Sequence, residues 1–151
     1  MTTSTQVMTL YLNEVGSYPR LSPEQEKSLA LQVARGRAAQ QKLRQIPPPS
    51  VQRCKTLQDE VVRGQQAQQR LLECNLRLVV YWARRHNRYD LPLEDLVQEG
   101  NVGLMKAIER YDPEQGTRLS TYAQWWIRKA LHRALSDLGP LIRLPEKAHQ
   151  E

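Results

Sequence analysis

An all-α fold, a helical bundle, is what this 151-residue sequence predicts. Three observations carry the prediction. Leu, Ala, Gln, Arg and Glu dominate and Phe is absent, a helix-forming mixture with little of the alternation that strands require. Prolines fall between the apolar-periodic stretches, where they end helices. Within those stretches the apolar residues recur at helical spacing, so each can bury one face.

The elements follow in order. A first helix is expected from about Met8 to Val15, stopping at Gly16 with Pro19 beyond. Ser22-Pro23-Glu24-Gln25 is a capping-box start in which Ser22 caps, Pro23 suits the first helical position and Gln25 reaches back. That second helix runs toward Arg44 and ends before Pro47-Pro48-Pro49. The stretch 47–69 is Gln-rich and weakly periodic, and reads as a variable connector with some helix. A long helix is expected from about Gln66 to Tyr89, with Leu72, Leu76, Val79, Val80 and Ala83 facing the core and Pro92 breaking it. The next runs from about Leu93 to Tyr111, and Asp112-Pro113 with Gly116 makes the following turn. Ser120 is the expected N-cap of the last long helix, which Gly139-Pro140 should stop near Leu138. Pro145-Glu146 is expected to open another helix that the chain does not finish. The organisation expected is therefore N-terminal helices over 1–46, a connector over 47–69, a functional helical core over 70–139 and the start of a further helix over 140–151, in a fragment of a longer protein.

The length suits about one domain. Twenty-two Lys and Arg against sixteen Asp and Glu give a net charge of +6 and a pI near 9.6, a balance that favours a polyanionic partner. No apolar run approaches the roughly 20 residues of a membrane helix, and no signal peptide is visible. The expected setting is cytoplasmic, with no membrane partner. Cys54 and Cys74 cannot build a disulfide framework and read as reduced thiols. His86, His132 and His149 are scattered and distant from either Cys, so no metal and no cofactor is expected.

On a helical wheel of residues 120–138, Ala123, Ile127, Ala130, Leu131, Ala134, Leu135 and Leu138 fill one arc, a complete core face. The opposite arc holds Tyr122, Trp125, Trp126, Arg128, Lys129, His132 and Arg133. Between Thr117 and Arg133 lie Arg118, Arg128, Lys129 and Arg133 and no acid. Packing against a neighbouring helix is the bland reading, but it would draw the cations into an apolar interface without acidic partners. Rings that stack on bases beside charges that hold phosphates are what single-stranded nucleic acid needs, and each stacked base is worth roughly 1–3 kcal/mol.

The preceding helix has the reverse character, with Asp90, Glu94, Asp95 and Glu99 and no base over 90–99. Leu96, Val97, Gly100, Leu104 and Ile108 make its buried side, while Glu94, Gln98, Asn101 and Met105 form an outer stripe flanked by Val102 and Asp95. A solvated acidic face is the default. Met105 and Val102 within it argue for a docking surface, and its charge makes the partner a protein.

Three segments in order, Asn75-Leu76-Arg77-Leu78-Val79-Val80, Asp95 through Ala107, and Ser120-Thr121-Tyr122-Ala123-Gln124-Trp125-Trp126-Ile127-Arg128, resemble the second conserved region of bacterial RNA polymerase sigma factors of the housekeeping-type, sigma-seventy family. Leu10 through Gly16, with Leu21-Ser22-Pro23-Glu24-Gln25-Glu26, is similar to the short conserved segment before it. The resemblance implies an all-helical domain that docks on the coiled coil of the largest catalytic subunit of core RNA polymerase. It also implies recognition of the non-template strand of the promoter minus-ten element. Asp95, Gln98, Glu99, Asn101 and Met105 match docking positions. Tyr122 matches the aromatic that stacks on a flipped adenine, Trp125 and Trp126 the pair that wedges at the upstream bubble edge, and Asn75, Arg77 and Leu78 a pocket for a second captured base. Thr117 and Leu119 stand where housekeeping members carry aromatics, which should remove stacking surface. Lys129 stands in place of Gln, His132 in place of Thr, and Pro140 in place of a basic residue. These departures point to an alternative, non-primary member with its own promoter preference. An anti-sigma or other regulatory partner is left open.

Two other classes compete. A helix-turn-helix regulator would explain the charge, but recognition helices rarely present Trp-Trp to a groove. An enzyme fares worst, since no phosphate-binding glycine loop, metal cluster or nucleophile-base arrangement stands out.

Overall fold

The computed structural model describes the backbone of residues 2–148 and the side chains of residues 5–137. Six α-helices occupy it: α1 (Thr2–Ser17), α2 (Pro23–Leu43), α3 (Val51–Glu73), α4 (Leu76–Arg85), α5 (Leu93–Arg110) and α6 (Leu119–Ala148), with a 3-10 turn at Pro113–Gln115 before α6. No strand occurs among the described residues. The all-α expectation holds.

The capping box forms as read from sequence: Ser22 Oγ accepts from Gln25 N–H at 3.1 Å, and Gln25 Oε1 accepts from Ser22 N–H at 2.9 Å. Several boundaries differ, and α1 already begins at Thr2, ahead of the expected start near Met8. The connector is mostly helix, because α3 begins at Val51 under a Ser50 cap and pairs along α2. The single helix expected from Gln66 to Tyr89 is two, divided at Cys74-Asn75. There Asn75 Nδ2 donates to Leu71 O at 2.7 Å, and a side chain that satisfies a backbone carbonyl in this way releases the chain from the helix. Gly139-Pro140 does not stop α6, and Pro145 opens no new helix, since the helix is continuous to Ala148. An internal proline forfeits one hydrogen bond and crowds the turn before it, at about 3 kcal/mol. Residues 149–151 and the Leu138 side chain, assigned from sequence to a further helix and to the core, lie outside the described residues.

Two close helix crossings shape the molecule. Gly36 of α2 and Gly64 of α3 face each other so tightly that a Cβ on either would lie 2.8 Å from the other's Cα. At Gly103 of α5 a Cβ would meet Trp126 O at 2.6 Å and Ala130 Cβ at 2.9 Å, so only glycine lets α6 lie this near. The core is built from Val79 of α4, Leu96 and Leu104 of α5, and Leu119, Ile127, Leu131 and Leu135 of α6, all fully buried. Leu71 of α3 joins them from the hairpin side. At roughly 25 cal/mol per Å² of apolar surface, burial at this density fixes the azimuth of α6 and hence which of its side chains face outward.

Candidate nucleic-acid and partner interface

The start of α6 is held from another helix. Glu26 of α2 is 4% exposed; its Oε2 accepts from the Leu119 N–H at 3.0 Å and from Arg118 Nε at 3.1 Å. Arg118 Nη2 also donates to Leu21 O at 3.1 Å. A carboxylate at a helix N-terminus satisfies an orphan donor and complements the dipole. Ser120, the cap expected from sequence, instead lies inside the first turn. Glu26 was not singled out from sequence, and Arg118, expected on nucleic acid, is engaged with it.

From this fixed start an aromatic ladder climbs the outer edge of α6. Ring centroids are 5.8 Å apart for Tyr111 and Tyr122, 6.4 Å for Tyr122 and Trp126, and 5.0 Å for Trp126 and Trp125. Tyr122 and Trp126 are half-buried against the core, so the wheel placed them too far outward; Trp125 is 57% exposed and is the ladder's open end. Lys129 Nζ lies 4.8 Å from the Trp125 centroid and 5.7 Å from that of Trp126, while Arg110 stands 5.2 Å from Trp126. Cation and ring therefore present together, the pairing suited to phosphate beside base. Exposed Arg133 joins Lys129 along a groove between α5 and α6 that Glu99, Val102 and Lys106 border on the other side. Leu119 is fully buried, a core position, so its departure from an aromatic takes no stacking surface away. Thr117 is exposed, and its carbonyl accepts from the Tyr111 hydroxyl.

Arg128 turns to the other flank, 4.9 Å over the ring of Trp82, which stacks on His86 at 5.4 Å. Burial, with Arg128, His132, Arg88 and Arg85 nearby, pushes the His86 pKa below the ordinary histidine value. Trp82 Nε1 and His86 Nε2 are buried without a hydrogen-bond partner among the described residues. Exposed His132 belongs with this flank.

Asn75, Arg77 and Leu78 come together at one open cleft of about 610 Å³, with Arg20, Glu26, Arg118 and Ser120 on its other walls. Arg77 donates to Tyr18 O, which anchors the segment after α1 to the cleft. The cleft and the ladder share α6's first turn, and Glu26 belongs to both.

On α5, Asp95, Gln98 and Glu99 are exposed, and Val102 and Met105 remain 48% and 43% exposed. Asn101 sits deeper: its Nδ2 donates to the Tyr11 hydroxyl of α1 at 3.3 Å, and its Oδ1 is buried without a partner. The stripe is thus continuous except at Asn101, which α1 partly covers. Among the described residues, no group of three or more His, Cys, Asp or Glu could hold a metal ion, and no helix is long and apolar enough to cross a membrane.

The Sigma-70 region 2 family matches residues 71–139, and the Sigma-70 factor region 1.2 family matches residues 7–39. The chain is 42% identical over 139 residues to the RNA polymerase principal sigma factor HrdC of Streptomyces coelicolor, an alignment that covers 89% of this chain and 41% of that protein. It therefore spans about two fifths of that relative's length.

Proposed function

The chain belongs to the sigma-70 family, with regions 1.2 and 2 in order, and from that membership we propose that it docks on core RNA polymerase, recognises the promoter minus-ten element and nucleates DNA melting. The observation that carries the melting role is the ladder Tyr111-Tyr122-Trp126-Trp125, open at Trp125 and topped by Lys129. Extruding a base costs a few kcal/mol of unstacking, and an aromatic edge offsets that by filling the gap and stacking on what leaves it. Tyr122 takes a flipped base of the non-template strand, and Trp125 with Trp126 closes the upstream end. The cleft at Asn75, Arg77 and Leu78 takes a second base. Arg118 and Glu26 place that cleft and the ladder in register; Arg128 and Arg133 meet phosphates around them.

The acidic stripe of Asp95, Gln98 and Glu99 with Met105 docks on the coiled coil of the largest catalytic subunit, and Asn101 sets its edge against α1. An acidic surface repels DNA, and Glu99 at its edge borders the groove that Lys129 and Arg133 line from α6. Lys129 and His132 give this chain a promoter preference of its own, in keeping with an alternative sigma factor acting in the cytoplasm. The function is one of binding, with no reaction catalysed by this domain. Preference for single-stranded non-template minus-ten DNA over a duplex palindrome tests it against a helix-turn-helix regulator; equal affinity for both would overturn the reading.

A further inference from the structure

We propose that the far end of the α2–α3 hairpin is a second DNA surface, one that grips duplex backbone without reading sequence; it rests on the DNA-binding role above. The chain's charge is segregated. Seven of the 22 Lys and Arg, and none of the 16 Asp and Glu, lie between Lys27 and Lys55, so the rest of the chain carries 15 cations against 16 acids. The tract is thus a basic stretch separate from the one at the start of α6, where Arg118, Arg128, Lys129 and Arg133 lie.

Three of those seven are engaged or faced by an acid. Lys27 Nζ is 3.9 Å from Glu114, Arg37 donates to Glu109 O, and Arg35 shares a shallow hollow with Glu60. The other four, Lys42 and Arg44 at the end of α2 and Arg53 and Lys55 in the first turns of α3, are exposed and have no ion pair among the described residues. Lys42 stands about 24 Å along α2 from Glu26, well clear of the ladder.

The neighbours of these cations fit phosphate better than protein. Gln40, Gln41, Gln45 and Gln52 are exposed between them, and amide donors beside Lys and Arg are the side chains that contact phosphate and sugar. Exposed apolar surface at the tip comes chiefly from Ile46 and Val51 beside the prolines, less than the apolar centre a protein interface uses. The two matched family regions stop at residue 39 and resume at residue 71, so the tip lies between them.

The test measures affinity of the full chain for a 5′-labelled duplex of unrelated sequence and for a single-stranded minus-ten oligonucleotide, across a salt series. A quadruple variant, Lys42→Gln, Arg44→Gln, Arg53→Gln and Lys55→Gln, is compared with a charge-preserving one, Lys42→Arg, Arg44→Lys, Arg53→Lys and Lys55→Arg. Each phosphate contact contributes about 0.9 to the slope of log K against log salt, so the Gln variant, with four cations removed, should lose up to about 3.6 from the duplex slope and tenfold or more in duplex affinity. The charge-preserving variant should behave as the parent. Single-strand affinity should persist in both; its absence in the parent would strike the melting role and leave the duplex result readable. An unchanged duplex slope in the Gln variant, no duplex binding by the parent at low salt, or loss of core polymerase capture in place of duplex affinity would each overturn the proposal, the last by assigning the tip to an acidic protein surface.

Discussion

Glu26 and Leu119 are joined by a 3.0 Å hydrogen bond from the Leu119 N–H to the Glu26 carboxylate, across 93 residues of sequence. Helix α2 thereby caps α6, and region 1.2 sets the first turn from which Tyr122 projects. A tertiary cap couples two segments that a local serine would leave independent.

That coupling gives the first prediction. Glu26→Ala should cost about 2 kcal/mol of stability, the upper range for losing a cap, because Leu119 N–H and Arg118 lose their common acceptor. Glu26→Gln should cost less, keeping an acceptor for Leu119 while losing the ion pair. Urea midpoints measure both, and single-strand affinity should fall in the same order. Equal stability of Glu26→Ala and the parent would show that the cap is idle.

Docking gives the second. Gln98 and Met105 are exposed on α5 and are not members of the buried core. Gln98→Ala with Met105→Asp should abolish capture of core polymerase while circular dichroism stays unchanged. Undiminished capture would remove the stripe from the interface.

Upstream readout gives the third. Lys129 Nζ is placed over Trp125 at 4.8 Å, at the ladder's open end. Lys129→Gln should shift the preferred minus-ten sequence toward that of housekeeping factors, and a lysine there suits guanine or phosphate. Selection from a randomised minus-ten library is the check; identical preferences for both proteins would mean that Lys129 reads no base.

How much was legible follows from the range of each interaction. Ser22 and Gln25 are three residues apart, so their capping box can be read directly from the sequence. The buried side of α5, Leu96 to Ile108, follows from helical spacing alone. The α3–α4 break depends on one Asn75 side chain bonding Leu71 O, and neither glycine nor proline announces it. Glu26 carries no local signal, because its partners lie 92 and 93 residues away. The wheel gave α6's two faces but not the depth of Tyr122 and Trp126, because Tyr111 and Arg110 come from outside α6 to cover them.

The fourth prediction concerns pH. The His86 pKa is lowered, so the unfolded chain binds more protons at that site as pH falls through the ordinary histidine value of about 6.5. Stability from neutral His86 is fully present above that value and is lost as pH falls toward the folded-state pKa. Urea midpoints should decline as pH falls below about 6.5, and His86→Gln should flatten the decline. The same slope in both proteins would place the titration elsewhere.

Permanganate footprinting of the promoter bubble, with full-length protein and core polymerase, tests melting by the α6 ladder most directly. Tyr122 is held between Tyr111 and Trp126, with centroids at 5.8 Å and 6.4 Å, so its ring is oriented before any base arrives. Tyr122→Phe should leave the bubble intact, because the ring and not the hydroxyl stacks. Tyr122→Leu keeps apolar packing without a stacking face, and Tyr122→Ala removes both, with a loss of roughly 1–3 kcal/mol of single-strand affinity. Both should show weak or absent thymine reactivity while closed-complex binding changes little. A full-strength bubble with Tyr122→Ala would contradict the account.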